Sequence, residues 1–211
     1  MRRTREQKRQ THEDILRAAA RAFRESGFDG VGVAELMRDA GLTHGGFYAH
    51  FPSKDALLGE AAAYGLEQNG QSFFDEAAQA APDAPLREIL RRYISRNHRD
   101  TPADGCVLPT LAGEIAREPA EVRHRFTEAL ETYLARLTEH TPGADDAARR
   151  DNALILLSGM VGALVLSRAI DDPALSDRTL LANRRFLTDT FAEKNDDAPL
   201  APPADTGIEA S

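Results

Sequence analysis

The stretch VAELMRDAGLTHGGFYAHFPSK, Val33 to Lys54, decides the fold. Val33, Leu36, Met37 and Ala40 repeat at helical spacing, Gly41 interrupts, and Phe47 and Phe51 lie one turn apart on the segment that follows. A helix, a tight glycine turn and a second helix make a helix-turn-helix, the arrangement that lays a recognition element in the DNA major groove. Gly45 and Gly46 oppose helix formation, since each interior glycine costs about 1 kcal/mol relative to alanine. Their use is close approach: without side chains there, the backbone and its neighbours can reach phosphates and base edges. Thr43 opens this surface, His44 and Tyr48 are placed to reach bases, and His50 and Lys54 to reach phosphate. Phe47 and Phe51 belong to the core.

Outward from this stretch the chain reads as all-α, because helical periodicity recurs and strand alternation nowhere persists. Ile15, Ala18, Ala19, Ala22 and Phe23 form the apolar stripe of a first helix that starts at Thr11, with Asp14 completing a weak capping box, and that ends at Gly27. Ser53 caps a fourth helix from Lys54 to about Ala81. Further helices are expected at Leu86 to His98, Cys106 to Arg117, Pro119 to Glu139, Asp146 to Ala169 and Ser176 to Glu193. About nine helices result: an N-terminal helix-turn-helix DNA-binding domain over 1–53, a larger helical domain for ligand binding and dimerisation over 54–194, and a disordered tail over 195–211.

Composition narrows the function classes. The 211 residues are 42% hydrophobic and 28% charged with a net charge of −8, which suits a soluble globular protein rather than one that coats nucleic acid. The basic residues nevertheless crowd one end, where Arg2, Arg3, Arg5, Lys8 and Arg9 face Glu6 alone before His12. A basic arm on an acidic body points to a localised anionic partner. A single cysteine, Cys106, excludes an intrachain disulfide framework and fits a reducing, cytoplasmic setting. No apolar leader follows the basic start. The most apolar run, Ala153 to Leu166, falls short of the roughly 20 residues of a membrane span and reads as a buried helix. The six histidines are scattered and the cysteine has no paired motif, so neither metal nor other cofactor is expected.

The residues AGLTHGGFYAHFPSKDALL, Ala40 to Leu58, resemble the signature of the TetR/AcrR family of one-component transcriptional regulators. Gly41, Gly45, Tyr48, His50, Phe51, Ser53 and Lys54 match in register, and AARAFRESGFDG precedes them at the family's spacing. The resemblance implies a homodimer on a near-palindromic double-stranded operator, repression, and release when a small molecule enters the C-terminal domain. One departure is that Gly32 and Val33 stand where the family commonly has Ser or Thr, removing a hydroxyl that would cap the second helix and touch phosphate.

Phe73, Tyr93, His98, Cys106, Leu111 and Phe126 are the ligand-site candidates, with His98 orienting a polar group. Cys106 reads first as a small buried core residue and second as a sensor: it follows Gly105 at an apparent helix start, where the dipole would lower a thiol pKa, and GCVLPTLAGEIARE resembles a subgroup of the family some of whose members respond to electrophiles or oxidants. Leu154, Leu157, Val161, Leu164 and Val165, with Leu180, Leu181, Phe186 and Leu187, supply a surface that packs internally or pairs with a second copy. The rival reading is a helical enzyme or small-molecule-binding protein with no DNA role. No nucleophile-base set or phosphate loop supports it, and Glu114, Glu118 and Glu121 read as a solvated face.

Overall fold

The computed structural model describes residues 4–192, whose regular structure is helical, with no strand among the described residues. Nine α-helices follow in order: α1 Arg5–Ser26, α2 Val33–Asp39, α3 Lys54–Ala80, α4 Pro85–Tyr93, α5 Arg96–Asp100, α6 Leu108–Ile115, α7 Ala120–Glu139, α8 Asp146–Ala169 and α9 Pro173–Phe191. Two short 3-10 segments, His44–Ala49 and Pro102–Asp104, complete them. Arg2 and Arg3 of the basic arm and the expected tail over 195–211 lie outside the described residues.

The cap of α1 is Thr4, seven residues before the expected Thr11. Thr4 and Gln7 close the capping box, the Gln7 N–H donating to Thr4 Oγ1 at 3.2 Å and the Thr4 N–H donating to Gln7 Oε1 at 2.9 Å. Thr11 lies inside the helix with its hydroxyl donating to the Gln7 carbonyl. The helix buries Ile15, Leu16, Ala19, Ala20 and Phe23 against α3. α3 is capped by Ser53, as expected, through the Ala56 N–H. Its 27 residues span about 40 Å at 1.5 Å per residue. Its near end meets α1 and the rest packs along α7 and α4, so one rod serves both parts of the molecule.

The expected helix from Leu86 to His98 is two. The chain breaks at Ile94, Ser95 caps α5 by accepting the His98 N–H, and the same hydroxyl donates to the Arg92 carbonyl. α9 starts at Pro173 rather than Ser176, because Asp172 accepts the Leu175 N–H and proline suits the first turn.

α8 corrects the reading of a buried helix. At 24 residues it is long and apolar enough to cross a membrane, yet it packs against α6, α7 and α9 through Ala153, Leu156, Leu157, Met160, Ala163 and Leu164. Leu154, Ile155, Val165 and Leu166 face outward instead. The dimerisation candidates therefore mixed two faces: Leu157, Leu164, Leu180 and Leu187 are core, whereas Leu154, Val165, Leu181 and Phe186 are exposed.

Candidate functional site

The turn between α2 and the 3-10 segment is built by backbone. Leu42 N–H donates to Met37 O at 2.7 Å and Gly41 N–H to Arg38 O at 2.9 Å, the paired bonds of a Schellman stop. Gly41 sits at φ +71°, a left-handed conformation that other L residues resist. Gly32 caps α2 without a side-chain hydrogen bond, so the missing hydroxyl is not replaced locally.

The expected helix from His44 to His50 is a 3-10 segment. Two glycines weaken the α-helix here, and the tighter bonds Gly46 N–H to Thr43 O and His50 N–H to Phe47 O take over. Phe47 and Phe51 are buried against each other with ring centroids 5.7 Å apart, which fixes the opposite side outward. That side carries Thr43, His44, Gly45 and Tyr48, all exposed, with Tyr48 at 65%. The side chains of Thr43, His44 and Tyr48 make no hydrogen bond among the described residues.

Three other candidates are placed differently. A Cβ on Gly46 would point toward Met37 Cε at 3.6 Å, so its close approach is to α2, whereas a Cβ on Gly45 would meet open space. His50 is half-buried between Phe51 and His12. Lys54 folds inward: its ammonium donates to the Phe28 carbonyl at 2.5 Å and lies 4.2 Å above the Phe28 ring. It fastens α3 to the turn after α1. Of the basic arm, Arg9 pairs with Glu6 and Glu13.

The second site is a cavity of about 490 Å³ in the larger helical part, within the range of small-molecule sites. Phe73, Tyr93, His98 and Cys106 line it together with Tyr133. Leu111 and Phe126 are not among its lining residues; Leu111 is fully buried and Phe126 packs against the core. Two chemical expectations change. His98 is committed at both ring nitrogens, Nδ1 donating to the Tyr93 carbonyl at 2.8 Å and Nε2 accepting the Cys106 N–H at 2.9 Å. Burial keeps that imidazole neutral and lowers its pKa to about 4, so it braces the cavity wall rather than orienting a ligand.

Cys106 does not begin α6; it precedes the capping residue Val107. It is buried, and burial pushes its thiol pKa up despite the neighbouring Tyr93 hydroxyl, the Leu108 N–H and the cations Arg24 and Arg168. The buried Tyr93 hydroxyl has no hydrogen bond of normal geometry. Among the described residues no cluster of His, Cys, Asp and Glu has the arrangement of a metal site.

Sequence reasoning missed the contacts that join the two sites. Arg24 of α1 donates from Nε to the Ala103 carbonyl at 2.7 Å, and Thr110 Oγ1 donates to the Arg24 carbonyl at 3.2 Å. Arg21 pairs with Asp104 at 3.0 Å. Glu114, read as solvated, accepts the Phe28 N–H at 2.9 Å. On the opposite half of α1, Glu60 of α3 bridges His12 at 2.9 Å and Arg125 of α7 at 2.7 Å. All these partners are remote in sequence, so no local spacing announces them.

Comparison with known proteins adds to this geometry. Residues 15–61 match the family described as bacterial regulatory proteins, tetR family. An uncharacterised HTH-type transcriptional regulator, YerO of Bacillus subtilis, is 29% identical over 122 residues, covering 54% of this chain and 39% of that protein. The transcriptional regulator AcuR of Cereibacter sphaeroides is 29% identical over 132 residues, covering 61% of this chain and 59% of AcuR. The matched stretch thus spans less than two thirds of either relative. A TetR-family transcriptional regulator from Cytophaga hutchinsonii superposes with a TM-score of 0.68 at 22% identity, over 92% of this chain and 100% of that one. The reduced form of E. coli NemR gives 0.65 at 19%, over 87% and 98%. Both structural likenesses show the shared fold.

Proposed function

We infer, from the premise that the N-terminal domain belongs to the tetR family of bacterial regulatory proteins, that this chain is a DNA-binding transcriptional regulator rather than an enzyme. The observation that carries the reading is the outward side of the 3-10 segment. Thr43, His44, Gly45 and Tyr48 stand exposed on a surface held rigid from behind by Phe47 and Phe51. Exposed side chains that make no hydrogen bond among the described residues, on a fixed backbone, suit contacts to base edges and phosphates. Lys54 contributes by fixing α3 to that unit, and through its charge rather than as a free arm.

The protein acts as a homodimer on a near-palindromic operator. Support comes from the exposed apolar residues of α8 and α9. Leu154 and Val165, Ile155 and Leu166, and Leu175 and Phe186 are each eleven residues apart, three helical turns, so each pair shares a face. Pairing α8 and α9 with their copies would make a four-helix bundle and place two recognition segments about 34–36 Å apart, one turn of DNA.

The same reading makes the protein a repressor released by a small molecule. Residues 1–53 meet DNA, and 54–194 receive the effector and the second copy. The effector enters the cavity beside Phe73, Tyr93 and Cys106. Entry of a small molecule is favoured over thiol modification as the trigger, because Cys106 is buried with its pKa raised.

The test is fluorescence anisotropy of purified protein on duplexes selected from random DNA, with competitor and at two salt concentrations. Saturable binding by a dimer in light scattering is the expected result. A monomer that binds every duplex alike would refute it.

A further inference from the structure

We propose that residues 101–106 form a strap with two working sides, and that Arg24 is the positioning residue through which the state of the cavity reaches α1 and the DNA-facing unit. The proposal deepens the reading above and rests on it: it names the route by which the effector site regulates DNA binding.

The inner side of the strap is cavity wall. Thr101, Asp104, Gly105 and Cys106 line the space. His98 pins this side, accepting the Cys106 N–H at Nε2 while its other nitrogen holds the Tyr93 carbonyl. Gly105 packs so tightly beneath the imidazole that an added Cβ would lie 2.5 Å from Nε2. A molecule that displaces His98 or Cys106 therefore displaces the strap backbone.

The outer side holds α1. Ala103, three residues from Cys106, accepts Arg24 Nε at 2.7 Å, and Asp104 pairs with Arg21 at 3.0 Å. Arg24 makes no ion pair among the described residues. Its guanidinium is largely withdrawn from water, so its firm attachment is to the strap backbone. Between the two sides lies a single 3-10 turn, Pro102–Asp104, closed by Gly105 N–H to Pro102 O at 3.0 Å. A closed turn of three residues has little slack, so displacement at Cys106 arrives at Ala103 and Arg24.

α3 also touches the cavity through Ser72, Phe73 and Glu76, but these residues lie about five helical turns or more beyond its start at Lys54. Motion there must bend or tilt a long rod packed along α7. The strap joins cavity wall and α1 within the six residues 101–106.

Linkage supplies a test that needs no identified effector. If the strap couples the two sites, operator binding alters the opening of the cavity wall as much as that opening alters operator binding. Cys106 is the only cysteine, so its reaction with 5,5′-dithiobis(2-nitrobenzoate) reports that opening alone. In the full chain, saturating operator is expected to slow release of thionitrobenzoate by about fivefold or more. Arg24→Met, which keeps the apolar stem and loses the donor, should remove this protection while still binding operator. Arg24→Lys should restore part of it.

A second measurement uses a wedge in place of a ligand. Gly105→Ala drives a methyl into His98 and should weaken operator binding about tenfold, with a smaller effect in the Arg24→Met background. Equal thiol reactivity with and without bound operator would overturn the proposal. So would full protection in Arg24→Met, or unchanged operator affinity in a folded Gly105→Ala protein. These outcomes leave the regulator reading intact, whereas a wild-type protein that selects no operator removes that reading itself.

Discussion

Two short 3-10 turns, His44–Ala49 and Pro102–Asp104, use their polar groups in opposite ways. Around the first, the side chains of Thr43, His44 and Tyr48 project into solvent with no hydrogen bond among the described residues, while the buried Phe47 supplies the rigidity. Around the second, the polar groups are spoken for: His98 at both nitrogens, the Cys106 and Gly105 N–H groups, and the Ala103 carbonyl. The difference separates two jobs. A surface meant for an outside partner keeps its donors and acceptors uncommitted, because every internal bond would have to be broken on binding. A segment meant to transmit a displacement commits them, because slack would absorb the signal.

The largest test of this contrast is Tyr48→Ala. With one copy per half-site and roughly 1–3 kcal/mol per lost base contact, operator affinity should fall by about thirtyfold or more. Its stability by calorimetry should stay within about 0.5 kcal/mol of the parent, since the ring is 65% exposed. A loss of affinity that merely follows a loss of stability would erase the distinction.

On the committed side, acid should act through His98. In the unfolded chain its imidazole takes up a proton near 6.5, whereas in the folded protein burial delays this to about 4. Its contribution to stability is therefore complete above pH 6.5 and lost as pH falls toward 4, on the order of 2–3 kcal/mol. Urea unfolding of wild type and His98→Gln at pH 7.5 and 4.5 isolates this share from the carboxylates, whose ion pairs weaken in the same direction. Equal slopes in the two proteins would mean that His98 is not held neutral by the strap.

Two glycines of the first region sharpen the comparison further. Gly41→Ala forces a side chain into φ +71° and should cost about 1–2 kcal/mol of stability. Gly45→Ala adds a methyl to open space, so stability should hold within about 0.5 kcal/mol while operator affinity falls several-fold. Thermal unfolding and anisotropy on the same samples check both. A stability loss at Gly45 as large as that at Gly41 would mean that it serves the fold and not the partner.

What was legible in the sequence follows from the range of the forces involved. The helix-turn-helix was, because Gly41, Phe47 and Phe51 act on neighbours within a few residues. Ser53 as a cap and the span of α8 were legible for the same reason. The start of α1 was misplaced because Thr11 and Thr4 each precede a plausible partner three residues on, and only Thr4 Oγ1 is free of a helix carbonyl. Leu157 and Leu154 look alike in the sequence, but only packing of α8 against its neighbouring helices decides which faces inward. Cys106 seemed to start a helix because Gly105 precedes it. The true start, two residues on, depends on His98 drawing the Cys106 N–H away. The Arg24 contact to Ala103 joins residues 79 apart, and nothing near Arg24 distinguishes it from the other arginines of α1.

Operator recognition by the uncommitted surface is the function on which every other role of the chain depends. The direct measurement is competition anisotropy on a selected duplex, with wild type and Tyr48→Ala side by side and non-specific DNA in excess. Wild type is expected to retain the selected duplex against the competitor, and Tyr48→Ala to bind that duplex about thirtyfold or more weaker. Equal retention by both proteins would contradict it.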